Sequence, residues 1–181
     1  PTVVSATMWL WMYNDQWGII NVLLDGLGII DGYQAWLTNP ATALPAVIVA
    51  DVWKTTPFMA LLILAGLQMI PKDLYESAAV DGATGLRRFF SITLPMLRST
   101  ILVAVLFRTL DSFRVFDLIY VTTMGGPGTA TEVTSMYAYK VLFKNLDFGY
   151  GSALAMSIML VVAAVSAIYI SVLSEREAER G

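Results

Sequence analysis

The sequence predicts an all-α polytopic membrane protein, on the evidence of its composition and its long apolar segments. Of the 181 residues, 57% are hydrophobic and only 14% are charged, and the mean hydropathy is +0.67. Soluble domains carry about a quarter charged residues. Residues 41–67, 95–120 and 149–173 are each long enough to cross a bilayer as a helix, which takes about 20 apolar residues.

Two residue types are missing from this sequence, and their absence narrows the classes of function that it can have. The sequence contains no Cys and no His, which argues against thiol catalysis, disulfide scaffolds and the usual zinc sites. The net charge of −3 comes without a basic run, so we expect no nucleic-acid partner. The glycine-rich stretch 123–128 lacks the Gly-Lys-Ser/Thr ending of a phosphate loop. We therefore predict no catalytic residues, no metal and no cofactor.

The first apolar stretch, residues 3–13, is too short to span a bilayer. It carries Trp9, Trp11 and Tyr13, and such aromatic residues mark a membrane–water boundary. We interpret it as the back half of a span, and expect the sequence to be the C-terminal portion of a longer polypeptide with N-terminal spans missing. Residues 14–40 then predict a surface segment with a short amphipathic helix around 20–27.

Residues 70–98 form a charged, amphipathic segment between two spans. Pro71 suits the first position of a helix over 72–80, because its missing N–H needs no partner there. Gly82 supplies the left-handed residue that ends this helix, and Thr84 can cap a second short one. Pro95 begins the next span. The second helix places apolar side chains on one face, namely Leu86, Phe89 and Phe90.

The remaining elements complete the chain. A turn-rich loop at 122–131 leads to an amphipathic helix over 132–147, expected at the membrane interface. In the first full span, Asp51 and Lys54 are three residues apart and can form an ion pair.

Lys and Arg are more numerous on one side of the spans, at Lys72, Arg87, Arg88, Arg98, Arg176 and Arg180, than on the other, at Lys140 and Lys144. The positive-inside rule therefore predicts that the 70–98 segment and the C-terminus are cytoplasmic.

A short pattern within this segment resembles a known signature. Glu76-Ser77-Ala78, Asp81-Gly82-Ala83, Ile92 and Leu94-Pro95 resemble the EAA motif of the transmembrane permease subunits of bacterial ABC importers. Ser77 stands where that family commonly has Ala. Further patterns resemble the maltose/trehalose/glycerol-phosphate branch of sugar importers, among them Trp53 with Pro57-Phe58, Gly125-Gly126-Pro127 and the run 149–153.

The resemblance implies a type I ABC importer permease fold in the cytoplasmic membrane. Residues 1–181 would be a single transmembrane permease domain, with a cytoplasmic EAA coupling loop at 70–94. The chain itself would be no enzyme, because ATP hydrolysis belongs to a separate partner ATPase. The implied partners are a second permease subunit, a pair of ATP-binding cassette ATPase subunits, an extracytoplasmic solute-binding protein, the sugar and membrane lipid.

The resemblance also implies two sets of site residues. ATPase coupling is expected at Glu76, Ala78, Asp81, Gly82, Leu86, Arg87, Phe89 and Phe90. In the second span, four charges of alternating sign recur every three residues, and charges inside a membrane are costly unless they pair or line a polar path. The expected substrate pathway comprises Arg108, Asp111, Ser112, Phe113, Arg114 and Asp117.

Alternatives remain open at this point. The four charges can instead form a structural ion-pair ladder near the outer end of the helix. Phe89 and Phe90 can pack against the chain's own spans. A rival function is an ion-coupled secondary transporter, in which the membrane charges relay cations, and a third possibility is a purely structural membrane subunit.

Overall fold

The computed structural model describes residues 2–178, with side chains described through residue 171. In this range the chain is built from helices joined by turns and loops. The α-helices are α1 Thr2–Met12, α2 Ile19–Gly26, α3 Pro40–Gln68, α4 Lys72–Val80, α5 Gly85–Arg88, α6 Leu94–Phe113, α7 Asp117–Thr122, α8 Thr134–Tyr139 and α9 Phe148–Ala178. π-Helical turns follow α5 and α8, at Phe89–Thr93 and Lys140–Lys144.

Among residues 2–178, three helical stretches are long and apolar enough to cross a membrane: Pro40–Gln68, Gly85–Phe113 and Phe148–Ser171. The first and last confirm the spans predicted at 41–67 and 149–173. In their most apolar windows only 17%, 17% and 0% of the residues are buried within the chain. Helices that are apolar on all sides require lipid or other membrane helices around them.

The second span differs from its predicted bounds of 95–120. The helix that contains it begins at Gly85, because α5, the π-helical turn and α6 form one continuous helix, and this helix ends at Phe113. Residues 114–116 interrupt the helix, and Asp117 begins α7. An acidic residue in the first turn of a helix is favourable, because it faces the positive end of the helix dipole. The side chain of Ser135 donates to the carbonyl of Val115, one of the groups left open by the interruption.

The chain divides into two compact units. The first combines the segment through Thr55 with Phe113–Val161. In its core α7 packs against α1, and Tyr13 donates a hydrogen bond to Ala46 O of α3 at 3.1 Å. The rings of Trp9 and Trp53 meet edge to face with centroids 5.8 Å apart. The buried apolar core residues of this unit are Ala6, Trp9, Tyr13, Ala46, Val47, Ala50, Leu118, Ile119 and Met136.

The turn-rich loop of the first unit is fixed by polar contacts. Thr131 is buried, and its hydroxyl lies 2.6 Å from Thr123 Oγ1 and donates to Gly126 O at 2.8 Å. Glu132 forms a 2.7 Å ion pair with Lys140 Nζ. These bonds connect the loop to Thr123, which directly follows α7, and to Lys140, which begins the π-helical turn after α8.

The second unit combines Thr56–Ser112 with the segment from Val162 onward. The helices of its spans approach closely at Gly66, where an added Cβ would collide with the side chain of Thr100. Small residues permit this kind of close packing between membrane helices. Further along, Phe58 and Phe107 meet edge to face with ring centroids 6.2 Å apart. Within this unit, α3 and α6 therefore pack against each other.

Candidate functional site

The segment predicted to couple the protein to an ATPase begins with α4. Pro71 precedes it as the N-cap residue, with φ −59° and ψ 134°, and the helix ends at Val80. Gly82 adopts φ +72°, as predicted for the residue that ends this helix. The turn is closed by a hydrogen bond from Ala83 N to Ala78 O of 2.9 Å. The predicted first helix and its glycine stop are both confirmed.

The second helix of this segment starts as predicted but does not stop. Thr84 is extended, and its hydroxyl accepts a hydrogen bond from the backbone N–H of Arg87 at 3.4 Å. The expectation of a separate short helix followed by a new one at Pro95 is wrong, since the helix runs on without interruption. A proline ring clashes with the carbonyl four residues earlier in a regular α-helix, and the π-helical turn at Phe89–Thr93 changes the backbone register just before Pro95.

The apolar residues of this segment are exposed. Leu86 is 75% exposed, Phe90 is 62% and Phe89 is 45%, and the two phenyl rings meet edge to face at 5.1 Å. The expected charged contacts, Glu76, Asp81 and Arg87, are exposed as well, whereas Ala78 is half-buried. The coupling surface, defined as Leu86, Arg87, Phe89 and Phe90, is therefore accessible within the described chain. Its role in binding an ATPase stays a prediction.

Replacing Gly82 with valine tests the turn between the two helices. A β-branched residue at φ +72° is strained by about 1 kcal/mol or more, although an added Cβ would meet no atom within 4 Å. We expect the Gly82→Val protein to insert normally and to transport more slowly. The measurement is uptake normalised to the amount of protein in the membrane.

Gly85→Ala is the matched control for Gly82→Val. Gly85 lies inside α5 with no positive φ, and its added Cβ also meets no atom within 4 Å. Alanine favours the helix at such a position. Equal uptake by the Gly82→Val and Gly85→Ala proteins would contradict the role assigned to the turn.

The residues of the predicted substrate pathway occupy a short stretch of chain rather than one helix face. Arg108, Asp111, Ser112 and Phe113 lie in the last turns of α6, Arg114 lies in the interruption, and Asp117 begins α7. The regular spacing of three therefore does not place all four charges on a continuous helical ladder. Ser112 donates its hydroxyl to Arg108 O at 2.8 Å. Arg108 is half-buried and the other five residues are exposed.

A further charged pair lies in the first full span. Lys54 Nζ lies 3.2 Å from Asp51 Oδ1, as predicted from their spacing on α3, and Asp51 is only 6% exposed. Within the described residues, no three carboxylates or other metal-binding side chains form a cluster. In the 70–94 segment, the hydrogen bond between Tyr75 and Thr93 could not be predicted, because the two residues are 18 positions apart and neither belongs to the recognised pattern.

The cations used to predict orientation lie mainly in the described range. Lys72, Arg87 and Arg98 are exposed, and Arg88 is half-buried. Arg180 and the side chain of Arg176 lie outside the described residues. The cytoplasmic placement of the segment and of the C-terminus therefore stays a prediction.

Comparison with known proteins places this architecture in a family. Residues 1–180 match the family described as binding-protein-dependent transport system inner membrane component. The chain is 49% identical to the trehalose/maltose transport system permease protein of Thermococcus litoralis, covering 95% of this chain and 57% of that protein. It is 42% identical to the sulfoquinovosyl glycerol transport system permease protein of Agrobacterium fabrum, covering 98% of this chain and 57% of that protein.

Solved structures agree with this match. The chain superposes on a bacterial ABC transporter involved in the import of the acidic polysaccharide alginate, with a TM-score of 0.85 and 26% identity, covering 97% of this chain and 61% of that one. The predicted all-α membrane fold of a type I importer permease, in partial form, is thereby confirmed. The chain spans little more than half the length of the curated relatives it matches. It belongs to the family of binding-protein-dependent transport system inner membrane components.

Proposed function

We propose that this chain is part of the permease subunit of an ATP-driven importer that carries a sugar or sugar-like solute across the cytoplasmic membrane by alternating access. The observation that carries the proposal is the match to a binding-protein-dependent transport family over residues 1–180. It is supported by relatives whose names specify trehalose/maltose and sulfoquinovosyl glycerol transport. The proposed partners are a second permease subunit, two ATP-binding cassette subunits and an external solute-binding protein.

The proposed coupling runs through residues 70–94 on the cytoplasmic side. The coupling surface presents two phenyl rings and an arginine, which are residue types enriched at protein interfaces. It lies on α5 and the π-helical turn, which continue into α6 without a break. When ATP closes the two partner subunits, displacement of the coupling surface therefore moves a membrane-spanning helix directly. Hydrolysis takes place on those partners.

The proposed solute path includes the polar stretch 108–117. Charged residues in a membrane segment are costly unless they serve a polar path or pair with each other. Sugar hydroxyls both donate and accept hydrogen bonds, so carboxylates and guanidinium groups suit them as partners. Phe113 adds an exposed aromatic ring on which the apolar face of a sugar can rest.

Energy source separates this proposal from an ion-coupled transporter. The full-length protein is reconstituted with its partners in proteoliposomes, and uptake of labelled trehalose and maltose is measured. We expect uptake that requires ATP on the side of the ATPases and persists after an ionophore has dissipated ion gradients. Uptake that survives ATP depletion and collapses with the ionophore would support ion coupling and overturn the proposal.

A further inference from the structure

A hydrogen bond joins the two halves of the 70–94 segment. The hydroxyl of Tyr75 on α4 lies 2.9 Å from Oγ1 of Thr93. Thr93 is the last residue of the π-helical turn. Thr93 is only 8% exposed and Tyr75 is half-buried, so water competes weakly for this bond. Neither residue belongs to the predicted coupling set or to the predicted substrate pathway.

Thr93 occupies the point at which the amphipathic part of the helix becomes the span. The backbone N–H of Leu94 donates to Phe89 O, five residues earlier, which is the π-helical pattern. π-Helical turns inside α-helices occur frequently at functional sites. Pro95 follows Leu94. Because a proline ring clashes with the carbonyl four residues earlier in a regular α-helix, Pro95 also constrains the backbone at this point. A side chain bonded to Thr93 is therefore attached to a defined position on the α5–α6 helix.

By contrast, α4, the first helix of the 70–94 segment, has few packing contacts of its own. No residue of α4 is fully buried. It is linked to α5 through the turn at Gly82, which has a left-handed backbone. A Cβ atom added at Gly82 would meet no other atom within 4 Å. At its other end, Ile70 is buried just before Pro71. A bond from the middle of α4 to the π-helical turn would therefore limit rotation of α4 about the two ends.

We propose that Tyr75 and Thr93 form a clamp that makes α4 move together with α5 and α6. In this proposal both are positioning residues, which act by keeping the loop rigid and not by binding the solute or the ATPase. The inference rests on the proposed function, because it concerns how displacement of the loop reaches the span. Without the clamp, movement of the partner ATPase would be absorbed by pivoting of α4 and delivered less completely to α6.

The test compares variants that differ by a single hydroxyl group. Tyr75→Phe and Thr93→Val remove the bond with little change in shape, and Thr93→Ser restores the hydroxyl. Uptake and ATP hydrolysis are measured in the same proteoliposomes of the full complex. We expect each of the first two variants to lower solute transported per ATP hydrolysed by about fivefold, the loss expected for one buried hydrogen bond. Thr93→Ser should stay near the wild-type ratio, and Tyr75→Phe/Thr93→Val should be no worse than either single variant.

A distance measurement provides a readout that does not depend on transport. Spin labels are attached at Val80→Cys and Met96→Cys, two exposed positions on α4 and α6. The 181 residues contain no other cysteine, and any cysteine elsewhere in the full-length protein is first replaced by serine. The distance distribution should broaden when Tyr75→Phe is added. An unchanged distribution together with a wild-type transport ratio would overturn the clamp. Loss of coupling in Thr93→Ser equal to that in Thr93→Val would also overturn it, since packing and not the hydroxyl would then be responsible.

Failure of the clamp and failure of the proposed function give different results. If the unsubstituted complex shows no ATP-dependent uptake, the proposed function fails and the clamp fails with it. If the unsubstituted complex transports with ATP and the variants behave like it, only the clamp is wrong.

Discussion

Replacing Phe89 or Phe90 with alanine is expected to weaken attachment of the partner ATPase by about thirtyfold. Truncating a large aromatic anchor at a protein interface commonly costs about 2 kcal/mol or more, and each 1.4 kcal/mol is about a factor of ten. Both rings are exposed and packed edge to face, so a single groove can receive them together. The measurement is the amount of ATPase retained after the detergent-solubilised complex is purified, together with solute-stimulated ATP hydrolysis.

Phe143→Ala is the matched control for these two variants. Phe143 is a phenylalanine of similar exposure, at 65%, and lies in the segment predicted to face the opposite side of the membrane. It should retain the ATPase. Full retention and full stimulation in both Phe89→Ala and Phe90→Ala would contradict the docking role of the coupling surface. The apolar rings would then serve packing against other parts of the full-length protein.

The second large effect is expected from Asp111→Asn. The substitution keeps the size of the side chain and removes its charge, and a hydrogen bond to a charged group is worth about 1.5–3 kcal/mol. We therefore expect about a tenfold or larger rise in the solute concentration needed for half-maximal uptake. Retention of the ATPase should be unchanged, because Asp111 lies at the end of α6 remote in sequence from residues 70–94. Asp31→Asn, at an exposed position between α2 and α3, is the control and should transport normally.

A charge exchange separates solute contact from a structural ion pair. In the Asp111→Arg/Arg114→Asp protein the two charges trade places. A ladder of ion pairs would be preserved by the exchange and transport would recover. Direct contact with the solute predicts continued loss of transport. Recovery to the wild-type rate would contradict the pathway role of these residues.

Local features of residues 70–94 could be predicted from the sequence because they depend on short-range chemistry. Gly82 ends α4 with a positive φ, and Thr84 caps α5, since each needs only its near neighbours in the chain. The continuity of α5 with α6 could not be predicted in the same way. A proline usually indicates a helix boundary, and the register change that accommodates Pro95 inside a helix leaves no simple signal in the sequence.

The interruption after Phe113 was missed for a different reason. Arg114 and Asp117 continue a spacing of three that fits a helix, so the pattern favoured a longer span. The break is stabilised by a bond from Ser135 to Val115 O, between residues 20 positions apart. The Tyr75–Thr93 bond is likewise formed between residues brought together by the turn at Gly82. Contacts of this kind depend on the folded chain, and a single sequence does not specify them.

The composition of the assembled complex tests the central proposal most directly. The full-length protein carries an affinity tag, is purified in mild detergent with its partners co-expressed, and is weighed intact by native mass spectrometry. We predict a complex with one copy of this protein, one second permease subunit and two copies of an ATP-binding cassette subunit, and a smaller fraction of complexes that carry the ATPases when Phe90→Ala is introduced. A protein that transports its solute while its intact mass contains no ATP-binding subunit would contradict the account.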